Sequence, residues 1–149
     1  MEVNWSEAAQ GICAILAIVI TLLGYFFIIR QINQTNKSIQ HTSSVAIYSI
    51  SSEFYKFLAD NSNLRPYFYD RKELAENDPN KDKLFAMCEY LADFFEFVII
   101  ESNDLDERIF ESWKDYMDMI HENSPVFRLY LTLYASSYTQ ELLTSFNRK

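Results

Sequence analysis

The stretch of residues 11–29 contains no charged side chain, no amide and no proline, and it constrains the fold more than any other part of the sequence. As an α-helix it would span about 28 Å, close to the roughly 30 Å hydrocarbon core of a bilayer. A buried helix of a soluble protein normally carries a polar face, and a cleaved signal peptide normally begins with basic residues. Neither feature is present, so we expect a retained transmembrane helix over residues 11–29.

The basic residues beside this stretch predict its orientation. Arg30 and Lys37 follow it, and no Lys or Arg precedes it. The positive-inside rule then places the N-terminus outside the bacterial inner membrane and residues from Arg30 onward in the cytoplasm. The predicted plan has four parts: an extracytoplasmic segment over residues 1–10, the span over 11–29, a polar helical stalk over 30–45 and a cytoplasmic helical bundle over 46–149.

Small and polar residues, with Ile28 among them, recur at steps of three and four through the span and into the stalk. We call these positions the 14–42 face: Ala14, Ala17, Thr21, Gly24, Ile28, Gln31, Thr35, Ser38 and Thr42. Such steps are typical of the a and d positions of a left-handed coiled coil, and small residues in lipid let helix backbones approach closely. We expect a homo-oligomer along this face, although chance spacing is an alternative. Its polar members would line a water-filled lumen or hydrogen-bond across a plain bundle, and the sequence leaves both open.

The rest of the chain predicts an all-α fold. Two glycines in 149 residues leave little material for hairpin turns or glycine-rich phosphate loops. Apolar residues at helical spacing predict helices over residues 5–60, 67–74, 80–102, 106–122 and 124–146. Between the second and third helices, Asp78 is predicted as an N-cap followed by Pro79.

The apolar positions of the third predicted helix form the clearest core stripe. They are Leu84, Met87, Cys88, Leu91, Phe94, Phe95 and Val98. The next helix is predicted to bury Ile109, Phe110, Trp113, Met117 and Ile120. With its many Phe and Tyr residues, the region after residue 46 has enough apolar surface for a core of its own.

Carboxylates dominate residues 89–122, where Arg108 and Lys114 are the only Lys or Arg residues. Glu89, Asp93 and Glu96 share one helix face, which we interpret as a solvated surface, a cation site or a docking face for a basic cytoplasmic protein. The excess negative charge would repel a polyanion, so we do not expect direct nucleic-acid binding.

No pattern of residues predicts catalysis, a metal or a cofactor. Asp118 and His121 are spaced as two ligands on one helix face, but a di-metal bundle site needs a second such pair. Arg108 lies too far from His121 to match the arginine–histidine motif of helical RNA-cutting domains. We therefore predict that the chain is not an enzyme. A set of tyrosines at helical spacing would line a groove or belong to the core: Tyr67, Tyr69, Tyr130, Tyr134 and Tyr138.

The layout resembles a group of uncharacterised bacterial single-span membrane proteins with a cytoplasmic helical domain. The residues that carry the resemblance are 31–36 (QINQTN), 60–65 (DNSNLR) and 104–113 (DLDERIFESW). The layout is also similar to small membrane accessory or effector proteins of bacterial antiviral, CRISPR-associated systems, which implies an oligomeric pore with a HEPN-like cytoplasmic domain. The missing arginine–histidine motif means that a nuclease role is not implied.

Two functional hypotheses follow. In the first, the chain is a self-associating inner-membrane protein that alters membrane permeability in antiviral defence. In the second, the span is only an anchor, and the cytoplasmic bundle is a binding or scaffold module for a cytoplasmic partner. Membrane lipid is an expected partner in both.

Overall fold

A computed structural model describes residues 5–146 of the chain, so parts of the predicted segments 1–10 and 46–149 lie outside the described residues. The described residues form six α-helices, three short 3₁₀ segments and no strand, which confirms the all-α prediction. The helices are α1 (Trp5–Asp60), α2 (Pro66–Tyr69), α3 (Lys81–Ile100), α4 (Glu107–Asn123), α5 (Pro125–Leu133) and α6 (Gln140–Ser145).

The first helix ends at Asp60, where the sequence predicts its end. Among the described residues, α1 is the one helix that is long and apolar enough to cross a membrane. Its large apolar side chains between Ile12 and Ile29 are exposed. By their contacts, the described residues divide into two units, with the boundary between Ile39 and Gln40. The C-terminal part of α1 therefore belongs to the second unit.

The second unit encloses a core rich in aromatic residues. Phe95 of α3 is fully buried and lies within aromatic contact distance of Tyr116, Phe127 and Phe146, from three other parts of the chain. The α1 segment of this unit contributes Ile47, Phe54 and Leu58. Edge-to-face packing of aromatic rings adds to the stabilisation that burial provides.

The predicted core stripe of α3 is largely confirmed. Leu84, Cys88, Leu91, Phe94, Phe95 and Val98 are buried, and Met87 is half-buried. In α4 the prediction is correct for Trp113, Met117 and Ile120, whereas Ile109 and Phe110 are half-buried.

Two hydrogen bonds fasten the α1 segment of the second unit to the region of α3. The hydroxyl of Tyr90 donates to the carbonyl oxygen of Ile50 at 2.5 Å, and the hydroxyl of Ser43 donates to the carboxylate of Glu101 at 2.9 Å. Ser43 is buried, so its hydrogen bond offsets the cost of removing the hydroxyl from water.

The short helix predicted over residues 67–74 is wrong in its extent, because α2 stops at Tyr69. Arg71 adopts a positive φ of 56°, which no helix continues through. Its backbone N–H donates to the carbonyl of Asn123 at 3.0 Å, and its Nε donates to the side-chain oxygen of the same residue at 3.0 Å. A tertiary contact with the end of α4 thus replaces the next helical turn.

The predicted N-cap at Asp78 is also wrong, since α3 begins two residues later and has Asn80 at its N-cap. The Asp78 carboxylate instead accepts a hydrogen bond from the Tyr67 hydroxyl and another from the Asn80 backbone N–H at 2.8 Å. The side chain therefore stabilises the turn that precedes the helix.

The single final helix predicted over residues 124–146 is divided into α5, a 3₁₀ segment over Ala135–Ser137 and α6. Serine and threonine at the break compete for backbone hydrogen bonds, which disfavours a continuous helix. Thr139 caps α6, its hydroxyl accepting from the backbone N–H of Leu142 at 3.4 Å. Leu133 and Tyr134, in the last turn of α5 and at its end, are exposed.

We expect Phe95→Ala to lower the free energy of unfolding by about 3–5 kcal/mol, because it leaves a cavity among rings that cannot fully close over it. Leu133→Ala is the control, since Leu133 is 58% exposed and its truncation should change stability by less than about 0.5 kcal/mol. Denaturant titration of the full chain in detergent, followed by tryptophan fluorescence, measures both. Equal losses for the two variants would contradict the core described above.

Candidate functional site

The 14–42 face lies on α1, and all of its members are exposed. On a straight α-helix a seven-residue repeat drifts by about 20° per heptad, which amounts to about 80° from Ala14 to Thr42. The face is therefore a single continuous strip only where α1 winds around a neighbouring helix with a left-handed supercoil.

Gly24 and Thr21 show which features of this face the fold of a single chain requires. A Cβ added at Gly24 would meet no atom within 4 Å, so the fold of a single chain does not require glycine at this position. The hydroxyl of Thr21 donates to the carbonyl of Ala17 at 2.8 Å within the helix. The Thr21 hydroxyl thus already has a hydrogen-bond acceptor within its own helix. Contact with a second helix at this level would therefore depend on close packing.

On the second unit, the chain forms an open groove of about 460 Å³ between α3 and the region from α5 to Tyr138. We call it the tyrosine groove and define it by Phe85, Glu89, Asp93, Tyr130, Tyr134 and Tyr138. It brings together two sets of residues that the sequence presents separately: two of the three carboxylates of the predicted acidic face, and three of the five tyrosines.

The aromatic wall of the groove is internally packed. The Phe85 ring lies edge-on to Tyr130 and Tyr134, with centroid distances of 5.8 and 6.4 Å. The hydroxyls of Tyr130 and Tyr138 are 3.2 Å apart and hydrogen-bonded. Because Tyr130 is buried while Tyr134 is 43% exposed, the wall has a fixed base and an accessible rim.

The third predicted carboxylate has a different role. Glu96 does not line the groove. Its Oε1 accepts a hydrogen bond from the backbone N–H of Thr139 at 2.7 Å, at the N-terminus of α6. A carboxylate is favoured at a helix N-terminus, so Glu96 fastens α6 to α3.

Glu89 and Asp93 form no ion pair with any residue between 5 and 146. In the part of the chain that the structure describes, the ion pairs are Arg108–Asp106 and Lys114–Glu111, and neither involves Glu89 or Asp93. Asp93 is exposed, but partial desolvation raises its pKa, and the charges of Glu89 and Glu96 raise it further, while a hydrogen bond from Tyr138 opposes the change. Ionised Asp93 is therefore unfavourable to the folded state.

His121 and Asp118 form no metal site with a third ligand, since no group of three or more His, Cys, Asp or Glu is positioned to hold a metal within residues 5–146. The His121 ring stacks on Phe146 at 4.5 Å and 11°. Its pKa is lowered by burial and then by Arg128, against the opposing effects of Asp118 and Glu122.

Arg128 has a structural role at the end of α4. Its guanidinium donates to the carbonyls of His121 and Glu122 at 2.5 and 2.9 Å and so satisfies the C-terminus of α4. In the segment after α2, the Nζ of Lys72 lies 4.0 Å from the Tyr67 ring centroid.

Comparisons of the chain with protein family models, curated proteins and solved structures gave no match. The resemblance to antiviral membrane proteins stays a prediction, and so do the self-association role of the 14–42 face and the docking role of the acidic face.

We expect Asp93→Asn to stabilise the fold. A like-charged pair three or four residues apart on a helix costs about 0.2–0.5 kcal/mol, and Asp93 forms one such pair with Glu89 and another with Glu96. The gain should be about 0.5 kcal/mol at neutral pH, where Asp93 is ionised. It should decline as the pH falls through the raised pKa and vanish below the ordinary pKa of Asp, where the wild-type carboxyl is neutral in both the folded and the unfolded state.

Glu76→Gln is the matched control, since it removes one negative charge from an exposed loop. Denaturant unfolding of the two variants and the wild type across the acidic range measures the difference. A loss of stability on Asp93→Asn at neutral pH would contradict the unfavourable environment of the carboxylate.

Proposed function

We propose that the chain is a single-pass protein of the bacterial inner membrane that associates with copies of itself along the 14–42 face. Residues 11–29 form the span in this proposal, and residues from Arg30 onward are cytoplasmic. The observation that carries it is the exposure of the apolar side chains from Ile12 to Ile29. Each Leu or Ile left in water forgoes about 1.5–3 kcal/mol, so the exposure of this surface supports its transfer into an apolar environment.

Self-association is supported by the composition of the face. Ala14, Ala17 and Gly24 have very small side chains, and this permits the close backbone approach that drives helix pairing in lipid. Beyond the span, Gln31 and Thr35 continue the same register with side chains that hydrogen-bond across helices or face water. A polar helix segment of this kind gains stability by packing against another helix.

The biological role in this proposal is an oligomeric membrane effector, a pore or a bundle that alters membrane permeability in antiviral defence. It rests on the similarity in layout to accessory proteins of CRISPR-associated systems. The cytoplasmic helical bundle would receive the triggering signal or partner. This role needs no catalytic residue.

We expect Gly24→Leu to weaken self-association at least about tenfold, which corresponds to about 1.4 kcal/mol, because the new side chain separates the helix backbones. Gly11→Leu is the matched control: a Cβ there also meets no atom within 4 Å, and Gly11 lies outside the 14–42 register. Crosslinking in detergent and dye leakage from vesicles measure oligomer and permeability.

Self-association along this face predicts loss of oligomer and of leakage in Gly24→Leu and retention of both in Gly11→Leu. A wild-type chain that is strictly monomeric, or equal behaviour of the two variants, overturns the proposal. Tryptophan fluorescence of both variants verifies that the second unit remains folded.

A second candidate is a membrane-tethered binding module, which the tyrosine groove favours because it is accessible and lies on the second unit. Here the span is only an anchor. Replacing residues 11–29 with an unrelated span of equal length should then leave activity in cells unchanged, whereas the effector proposal predicts its loss. A cell-based permeability or protection assay of the chimera separates the two.

A further inference from the structure

The tyrosine groove of the second unit combines several aromatic faces with carboxylates in one cavity. Its volume of about 460 Å³ lies within the range of about 300–1,000 Å³ that is usual for ligand sites, and far exceeds the needs of a single metal ion. Glu89 and Asp93 are one helical turn apart, so their carboxylates are neighbours along one wall. Tyr130, Tyr134 and Tyr138 form the facing wall.

Within the described residues, neither Glu89 nor Asp93 has a Lys or Arg in an ion pair. The side chains that act on Asp93 are Glu89 and Glu96 on its own helix and Tyr138 opposite, and none of the three is positively charged. The ammonium of Lys81 contacts the Phe85 ring at 5.9 Å without pairing with these carboxylates.

We infer that the tyrosine groove binds an arginine side chain presented by a basic segment of a partner protein. A guanidinium is planar, so it stacks on tyrosine rings while its N–H groups donate to a carboxylate. The groove offers both partners within one cavity, with Tyr134 accessible at its rim. Binding would supply the positive charge that Glu89 and Asp93 lack.

Other occupants fit less well. Within residues 5–146 no cluster of three or more metal-ligating side chains is present, and a polyanion would be repelled by the carboxylates. A lysine ammonium would satisfy the charge, but it is more strongly hydrated than guanidinium and cannot stack through a flat face. The aromatic wall therefore favours arginine.

The test uses the full chain in detergent and a short fluorescent peptide with two arginines, with fluorescence anisotropy as the readout. A peptide with lysine at the same positions tests the need for a planar guanidinium. A peptide with citrulline tests the need for charge, since citrulline keeps the shape of arginine and removes its charge. We expect the arginine peptide to bind, the lysine peptide to bind several-fold more weakly, and the citrulline peptide not to bind.

Matched variants locate the binding. Tyr134→Ala should weaken it about tenfold through loss of the cation–π contact, while Tyr55→Ala, on a tyrosine of similar exposure away from the groove, should not. Glu89→Gln with Asp93→Asn should abolish binding. Glu111→Gln with Asp115→Asn removes an equally spaced pair from α4 and should leave it unchanged.

Equal losses in the groove variants and in their controls would mean non-specific attraction to an acidic surface and would overturn the inference. So would equal affinity for the arginine and lysine peptides, or binding of the citrulline peptide. Binding at the groove does not depend on self-association, and Gly24→Leu should leave peptide affinity intact. Failure of either proposal is therefore seen separately.

Discussion

The second unit is organised by the apolar stripe of α3. Phe95 and its neighbours on this helix contact α4, α5 and the segment that ends at Phe146. The burial of large rings on several sides of one helix supplies much of the apolar area removed from water, and it fixes the positions of the shorter helices. None of α2, α5 and α6 is long enough to be stable alone, so each depends on this surface.

The same helix carries the wall of the tyrosine groove. Glu89 and Asp93 lie on α3 close in sequence to the buried Cys88 and Leu91. Because those buried residues fix the helix against the core, they also fix the position of the two carboxylates. Tyr130 connects core and groove in a similar way, since its ring is buried and its hydroxyl meets that of Tyr138. The groove is thus preorganised by packing that serves stability, while the unpaired charge within it opposes stability.

Periodic apolar spacing was sufficient to predict α3 and α4, because these helices are long and each has an apolar side, and the polar run over residues 60–63 predicted the end of α1. Contacts between distant residues decided the rest. The turn at Arg71 depends on a hydrogen bond to Asn123. The start of α3 depends on the Tyr67 hydroxyl, which donates a hydrogen bond to the Asp78 carboxylate. The groove joins residues about forty positions apart, and no local pattern could have brought Asp93 beside Tyr138. The break before α6 had one local signal, the cluster of Ser and Thr residues, which the regular spacing of the tyrosines obscured.

The fastening of α6 by Glu96 has a consequence for local motion. A six-residue helix has almost no stability of its own, so its order depends on the Glu96–Thr139 hydrogen bond, the burial of Leu142 and the stacking of Phe146 on His121. Such a segment opens at a lower free energy than the core beneath it. Its opening would expose Phe95 and Phe127 to solvent while α3 and α4 stay folded. Access to the centre of the second unit therefore depends on whether the segment from α6 to Phe146 is docked.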